Sequence, residues 1–480
     1  MQKLFMRHTS RTCQNNMCNI HWSVSEYNSN NAWYYNGNNG NVNNYTKNNS
    51  YSVRPLLELY RENDHMLMDY PIPYDYVLYC YYLCRRKKRR KPSQLIFEMY
   101  RCEGLIELCH QINLMCLKMK RSIAFIISQP KWREVLAADF RDRVAQTILV
   151  QKILPIFEAY ESKDSYSCRV GKGGLRAAYR FKEYLRQVSE NYTKDCYVFS
   201  FDLQGFFPSI DTAFWTPRVV DFIDKHYEEA DWEVVEYLAE TIYRHRTQSD
   251  CVKKSPEWMW KHIEKSKSLV GSTSPVGLAI GNVTSQTLAN FITTEFLKLL
   301  EELGIRFVCY TDDIKGVVVH NREFLSLLPF FREFCWQRMR LRLHPKKFDI
   351  QHYSKGIRVG AFKVRFDRIL PNDRIAHNWL YKMRRFADLV SRSPEMVWQF
   401  KDKVVSVCNS YLGLLKWCNS YRLRTQGVDM LKNSEWSKYI EFDKDNLVAH
   451  TFKKYTENAV VMRQTRERKR EFELQMAMAA

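Results

Sequence analysis

Hydrophobic and polar positions change rhythm several times along this chain, and each change marks an element. The run CYVFSFD at 196–202 alternates with period two. It predicts a strand with Val198, Ser200 and Asp202 on one face and Tyr197, Phe199 and Phe201 on the other. Gly205 and Pro208 break it. The runs IRFVCY and IKGVVV predict strands near 305–310 and 314–319, with Asp312 and Asp313 at the bend. A further strand pair is expected around GIRVGAFKVRF. Helical spacing is read over 95–121, over REVLAADFRDRVAQTILVQKILPIFEAY at 133–160, and over 376–432. In 133–160, Val135, Phe140, Val144, Ile148 and Leu149 mark an amphipathic helix, whose Asp and Arg residues are expected as surface pairs of small individual worth. Two Gly-rich turns feed helices: CRVGKGGLRAAYRF at 168–181, and SPVGLAIGNVTSQTLANFITTEFLKLL at 274–300, which Thr284 and Ser285 suit as its start.

Composition alters this picture at the termini. Residues 1–50 hold fourteen Asn and almost no aliphatic periodicity, as a disordered or loosely turned polar arm would. A run of Lys and Arg, CRRKKRRKP, occupies 84–92, and RQTRERKREFELQ predicts a basic helix near the C-terminus. The 480 residues carry a formal charge of +21, which favours a polyanionic partner through counterion release. Aromatics at 14% add to that where they stand beside basic residues. No apolar run approaches the roughly 20 residues of a membrane span, and the N-terminus has no secretory apolar segment, so a cytoplasmic protein without a membrane partner is expected. Cys13, Cys18 and His21 come nearest to metal-ligand spacing, a weak signal for zinc.

The carboxylates carry the chemistry. Asp202 ends an apolar strand, and the Asp312–Asp313 pair follows 110 residues later at a bend. Taken singly, Asp202 is a helix cap and the pair an exposed turn. Together, three carboxylates repel one another unless cations lie between them, and hard oxygen donors beside phosphate select Mg²⁺. Two such ions about 4 Å apart activate a 3′-hydroxyl and stabilise departing pyrophosphate. Arg169 and Lys172 flank a Gly-rich turn at a helix start, a plausible phosphate cradle.

FDLQGFFPSI, GLAIGNVTSQ and YTDDI, in this order, resemble the A, B and C motifs of reverse transcriptases, the last written YxDD. The resemblance spans about 70–425 and is closest to the reverse transcriptases of diversity-generating retroelements, a group also resembled by REVLAADFRDRVAQ, SCRVGKGGLRAA and SYLGLLKWCNSYRLR. It implies an α+β right-hand polymerase with fingers, a palm built on antiparallel sheet and a helical thumb. It implies Asp202 and Asp312 as principal metal ligands with Asp313 in support, two Mg²⁺ ions, and Mn²⁺ as the alternative. Phe207 falls at the steric gate against a ribose 2′-hydroxyl. Arg169 and Lys172 would hold the incoming triphosphate. Lys347, with Lys346 an equal candidate, would give a proton to pyrophosphate, and GIRVGAF would form the primer grip. Ile280, Gly281 and Gln286 belong to the second motif, where a Gln in most reverse transcriptases contacts the nascent pair. Ile280 donates no hydrogen bond, which removes about 1 kcal/mol of discrimination, roughly fivefold. Ala279 stands where the group has Pro.

The resemblance implies an RNA-directed DNA polymerase making cDNA from a retroelement template RNA, error-prone at template adenines, in a prokaryotic or phage setting. Its partners would be template RNA, a DNA or RNA primer, dNTPs and a basic helical accessory protein. A defence-associated reverse transcriptase acting against phage is the alternative, and a non-catalytic RNA-binding scaffold a more distant one. The expected parts are the Asn-rich arm at 1–55, a helical extension and fingers at 56–197, and a palm at 198–375 with an insertion at about 215–272. A thumb at 376–432 and a basic tail at 433–480 complete them. The arm resembles the variable segment of the proteins these retroelements diversify. No RNase H or endonuclease part is expected.

Overall fold

The computed structural model describes the backbone of residues 20–26, 31–36 and 41–46, and residues 67–452 except 87, 90, 130, 273 and 393–396. The expected tail helix and the Cys13–Cys18 spacing lie outside the described residues. Where composition suggests a disordered arm, three antiparallel strands are found: β1 (Ile20–Glu26), β2 (Asn31–Asn36) and β3 (Asn41–Thr46). The later strands that position the site are β4 (Ser122–Ile127), β5 (Arg133–Ala137), β6 (Tyr197–Asp202), β7 (Cys251–Lys253), β8 (Arg306–Tyr310), β9 (Asp313–Val318) and β10 (Asp349–His352).

The chain divides into two compact units, each drawing on three stretches. The first takes Met1–Ser162, Leu203–Leu297 and Arg332–Leu343; the second takes Lys163–Asp202, Lys298–Phe331 and His344–Ala480.

In the first unit β4 pairs antiparallel with β5 and parallel with β7. The single helix expected over 133–160 is a strand followed by a helix, Phe140–Tyr160. Asp139 starts that helix, its carboxylate accepting from the Arg141 amide at 3.0 Å. Val135 and Leu136 therefore sit in a buried strand, which a short apolar run does not distinguish from helix. Phe140, Val144, Ile148 and Leu149 are buried, as the spacing predicts. Burial covers Arg141 and Asp142, whose side chains are 3% and 1% exposed and pair at 3.2 Å, so the expected surface pair is an interior one. Arg141 reaches Gln111 Oε1 at 3.1 Å and the Lys118 carbonyl, while Asp142 Oδ2 accepts from the Lys120 amide at 2.6 Å. The expected helix over 95–121 ends at Asn113, after which the chain turns into β4.

In the second unit a four-stranded antiparallel sheet runs in the order β10-β6-β9-β8. The period-two pattern of β6 is realised in its packing. Val198 joins Val308 and Val317 against Ala177, Ala178 and Phe181 of the helix Gly174–Val188. On the opposite face Phe199 and Phe201 meet Phe324 at 4.3 and 5.8 Å between ring centroids, and Phe201 meets Phe348 at 5.2 Å. Gly316 lies opposite Phe199 because a Cβ there would stand 2.1 Å from the ring. Three short strands over 357–371 follow, then helices Asp373–Arg392, Val397–Leu415 and Tyr421–Lys432 around Trp379, Met383, Leu412 and Trp436.

Candidate active site

Strand register assembles the carboxylates. Asp202, the last residue of β6, is the direct antiparallel partner of Asp313, the first residue of β9, so their side chains leave the same face of the sheet. Like charges so placed repel, and each is matched by a lysine. Lys347 Nζ donates to Asp202 Oδ2 at 2.6 Å, and Lys315 Nζ lies 2.5 Å from Asp313 Oδ1 while donating to Ser200 Oγ. Lys315 and Ser200 are themselves cross-strand partners, one step along the same face. Of the two lysines open in HPKK, Lys347 is the one on the site. The segment is fastened there by the His344 amide, which donates to the Asp202 carbonyl at 2.7 Å.

Asp312 stands with Thr311 in the two-residue bend joining Tyr310 to Asp313, which are cross-strand partners. Thr311 has φ +62°, which the tight hairpin demands and a β-branched residue resists. Among the described residues no three or more His, Cys, Asp and Glu side chains lie close enough to hold an ion. What the sheet assembles is the pair Asp202–Asp313, with Asp312 adjacent. The donors suit a hard cation: each of the paired carboxylates already holds an ammonium at hydrogen-bonding distance, and their oxygens are those Mg²⁺ takes.

The basic turn lies in the same unit. Asp164 is buried and accepts from Tyr184 at 2.5 Å and Tyr166 at 3.3 Å, with Arg180 at 3.6 Å. Its carbonyl accepts from the Cys309 amide at 2.8 Å, and the Tyr166 amide donates to the Cys309 carbonyl at 2.8 Å. The segment before the turn is thus stitched to β8, the strand that leads into the bend. Lys172 and Arg169 follow in the turn, where the Lys172 amide donates to the Arg169 carbonyl at 3.2 Å. The Lys172 ammonium lies 4.8 Å from the Tyr166 ring centroid and donates to the Lys163 carbonyl. Burial, then the charge of Arg169, lowers the Lys172 pKa. A cavity of about 280 Å³ opens here, lined by Tyr166, Lys172, Arg176, Tyr179, Arg180 and Glu183.

The first unit holds the remaining candidates. Phe207 is half-buried in the short helix Phe206–Ser209, and its carbonyl accepts from the Leu278 amide at 2.8 Å. The second motif is thereby tied to the end of the first. Ile280 is half-buried, and its carbonyl accepts from the Leu136 amide of β5 at 2.9 Å. Gly281 has φ +127°, and a Cβ there would stand 2.7 Å from the Leu136 carbonyl oxygen. Asn282 Oδ1 accepts from the Ala138 amide at 3.3 Å. Gln286 is exposed on the first turn of the helix Val283–Glu302. Sequence reasoning missed Lys315 and Asp164. The first was available as the residue two past Asp313 on one strand face; the second carried no local signal.

A profile described as reverse transcriptase (RNA-dependent DNA polymerase) matches residues 120–364, 245 of the 480 residues. No curated protein matches the chain. Among solved structures, apo telomerase from Candida tropicalis truncated from its C-terminal domain aligns at 9% identity and a TM-score of 0.37, covering 53% of this chain and 56% of that one. Telomerase from Candida albicans in complex with a TWJ fragment of telomeric RNA aligns at 10% identity and 0.37, covering 68% and 62%. The chain therefore spans less than two thirds of either telomerase chain. No helix among the described residues is long and apolar enough to cross a membrane. The fold is of the α+β right-hand polymerase class, and the chain belongs to the reverse transcriptase family.

Proposed function

We propose that this protein is an RNA-directed DNA polymerase of the diversity-generating retroelement type, copying a template RNA into error-containing cDNA. The observation that carries the polymerase reading is the cross-strand pair Asp202–Asp313 with a lysine on each carboxylate. Asp202, Asp312 and Asp313 would hold two Mg²⁺ ions, or Mn²⁺ in their place, which would supply charge neutralisation at the reacting phosphate and a more acidic primer 3′-hydroxyl. Lys347 supplies a proton to the departing pyrophosphate from its position on Asp202. Arg169 and Lys172 bind the triphosphate, and Phe207 excludes the ribose 2′-hydroxyl.

The mutagenic part of the reading rests on Ile280, whose side chain has no donor with which to test a base pair; Gly281 lets the backbone turn there, and Gln286 contacts the substrate strand. Template RNA, a DNA or RNA primer, dNTPs and a basic helical accessory protein are the partners, in the cytoplasm, the protein being prokaryotic or phage-encoded.

The test is primer extension on an RNA template with Mg²⁺ and the cognate accessory protein, followed by sequencing, with Asp312→Ala as control. Product that depends on Asp312 and carries errors at template adenines supports the reading. Ile280→Gln should then lower misincorporation about fivefold. Faithful product favours a defence-type enzyme, and folded protein that binds RNA but extends no primer favours a scaffold.

A further inference from the structure

We propose that Trp132, Trp258 and His262, in the first unit, form a stacking platform for unpaired bases of single-stranded nucleic acid. The three rings come from two segments more than 120 residues apart. Trp132 and His262 stack face to face, 4.2 Å between centroids and 10° between planes. Trp258 stands edge-on to both, at 6.3 Å from Trp132 and 6.1 Å from His262.

Packing among themselves does not hide the rings. Trp132 remains 36% exposed and Trp258 57% exposed. Exposed indoles clustered and held rigid are suited to a flat partner, since every base has a π-face.

Rigidity is built in. The platform's second segment is fastened to β4: the Lys254 amide donates to the Ala124 carbonyl at 2.9 Å, and Ser255 Oγ accepts from the Ile126 amide at 2.8 Å. Trp260 Nε1 closes the turn on the Ser255 carbonyl at 3.1 Å. The rings are thus set on a sheet edge and lose little entropy on binding.

Charge selects the partner. Exposed Lys131 and Arg133 flank Trp132 in the chain, and exposed Lys253, Lys254 and Lys261 occupy the segment of Trp258, against one acid between Lys253 and His262, Glu257. An acidic backbone with free bases matches both features; an apolar peptide matches only the rings. Four residues past Trp132, the Leu136 amide donates to the Ile280 carbonyl, so the strand that begins next to Trp132 also carries the second-motif loop.

The experiment measures fluorescence anisotropy of the full-length protein with labelled oligouridylate RNA, oligothymidylate DNA and a blunt duplex, across a salt series. Trp258→Ala and Trp132→Ala should each weaken binding to both single strands about tenfold, with an unchanged salt slope and unchanged duplex affinity. Trp258→Phe should keep most of the affinity, and matching thermal unfolding of the variants shows that they fold. Lys253→Ala with Lys254→Ala should instead flatten the salt slope. Single-strand affinities within twofold of the parent for both tryptophan variants would overturn the platform. So would losses equal on duplex and single strands, or losses confined to RNA, because neither follows from base stacking. The readout is binding, so loss of polymerase activity elsewhere does not affect it.

Discussion

Asp202 and Asp313 are direct cross-strand partners at the joint end of β6 and β9, and each carboxylate is held by its own lysine. Two like charges face each other beside the polar pair Ser200–Lys315, an arrangement that favours cation binding over stability. Replacing Asp202 or Asp313 by Asn should therefore abolish primer extension while leaving unfolding temperature unchanged or higher. Lys347→Ala should slow extension about a hundredfold, as removal of a proton donor does, without abolishing it. Single-turnover extension kinetics and thermal melts of the same preparations decide both points.

Thr311 adopts φ +62° in the bend before Asp312. That conformation costs a β-branched residue on the order of 1–3 kcal/mol, and glycine removes most of the cost. Thr311→Gly should raise stability by about 1 kcal/mol in urea unfolding, after the larger unfolded-state entropy of glycine is counted. No gain would show that the bend is unstrained.

Gly281 faces a steric limit rather than an energetic preference. Its φ of +127° is closed to other residues, and a Cβ would press on the Leu136 carbonyl. Gly281→Ala should displace the second-motif loop, break the hydrogen bond from Leu136 to Ile280 and destabilise the chain by about 2 kcal/mol or more. Amide hydrogen exchange at Leu136 reads the bond directly, and its protection should fall in the variant.

Asp142 gives a pH dependence with a definite sign. Burial raises its carboxyl to about 6, the neighbouring Arg141 and the Lys120 amide offsetting only part of the effect. Because the folded value lies above the unfolded one, the folded chain holds the proton more tightly, and stability falls as pH rises through that range. From about pH 4 to pH 7 the parent should lose roughly 2 kcal/mol relative to Asp142→Asn. Denaturant titrations of both proteins at the two pH values test this; parallel behaviour would place the ionised carboxylate comfortably beside Arg141.

The sheet that carries the site was legible because its signals are local. Period-two alternation in CYVFSFD and the apolar runs around the Asp pair mark strands whatever surrounds them, and the order of three motifs along the chain named the family. The residues of 133–137 were misread as helix for the complementary reason: the three apolar residues Val135–Ala137 are too few to show a period of their own, and pairing with β4 decided their state. Arg141 and Asp142 looked like surface charges because sequence does not show that Gln111, Lys118 and Lys120 fold over them.

By itself, then, the sequence determined which side chains are candidates for the chemistry and which strand face Asp202 occupies, since both follow from side-chain type and a two-residue repeat. The tertiary structure alone decided that Asp313 stands opposite Asp202, that Lys347 rather than Lys346 reaches it, and that Trp132 meets His262. Register and burial join residues more than a hundred positions apart, and no local pattern along the chain encodes such a distance.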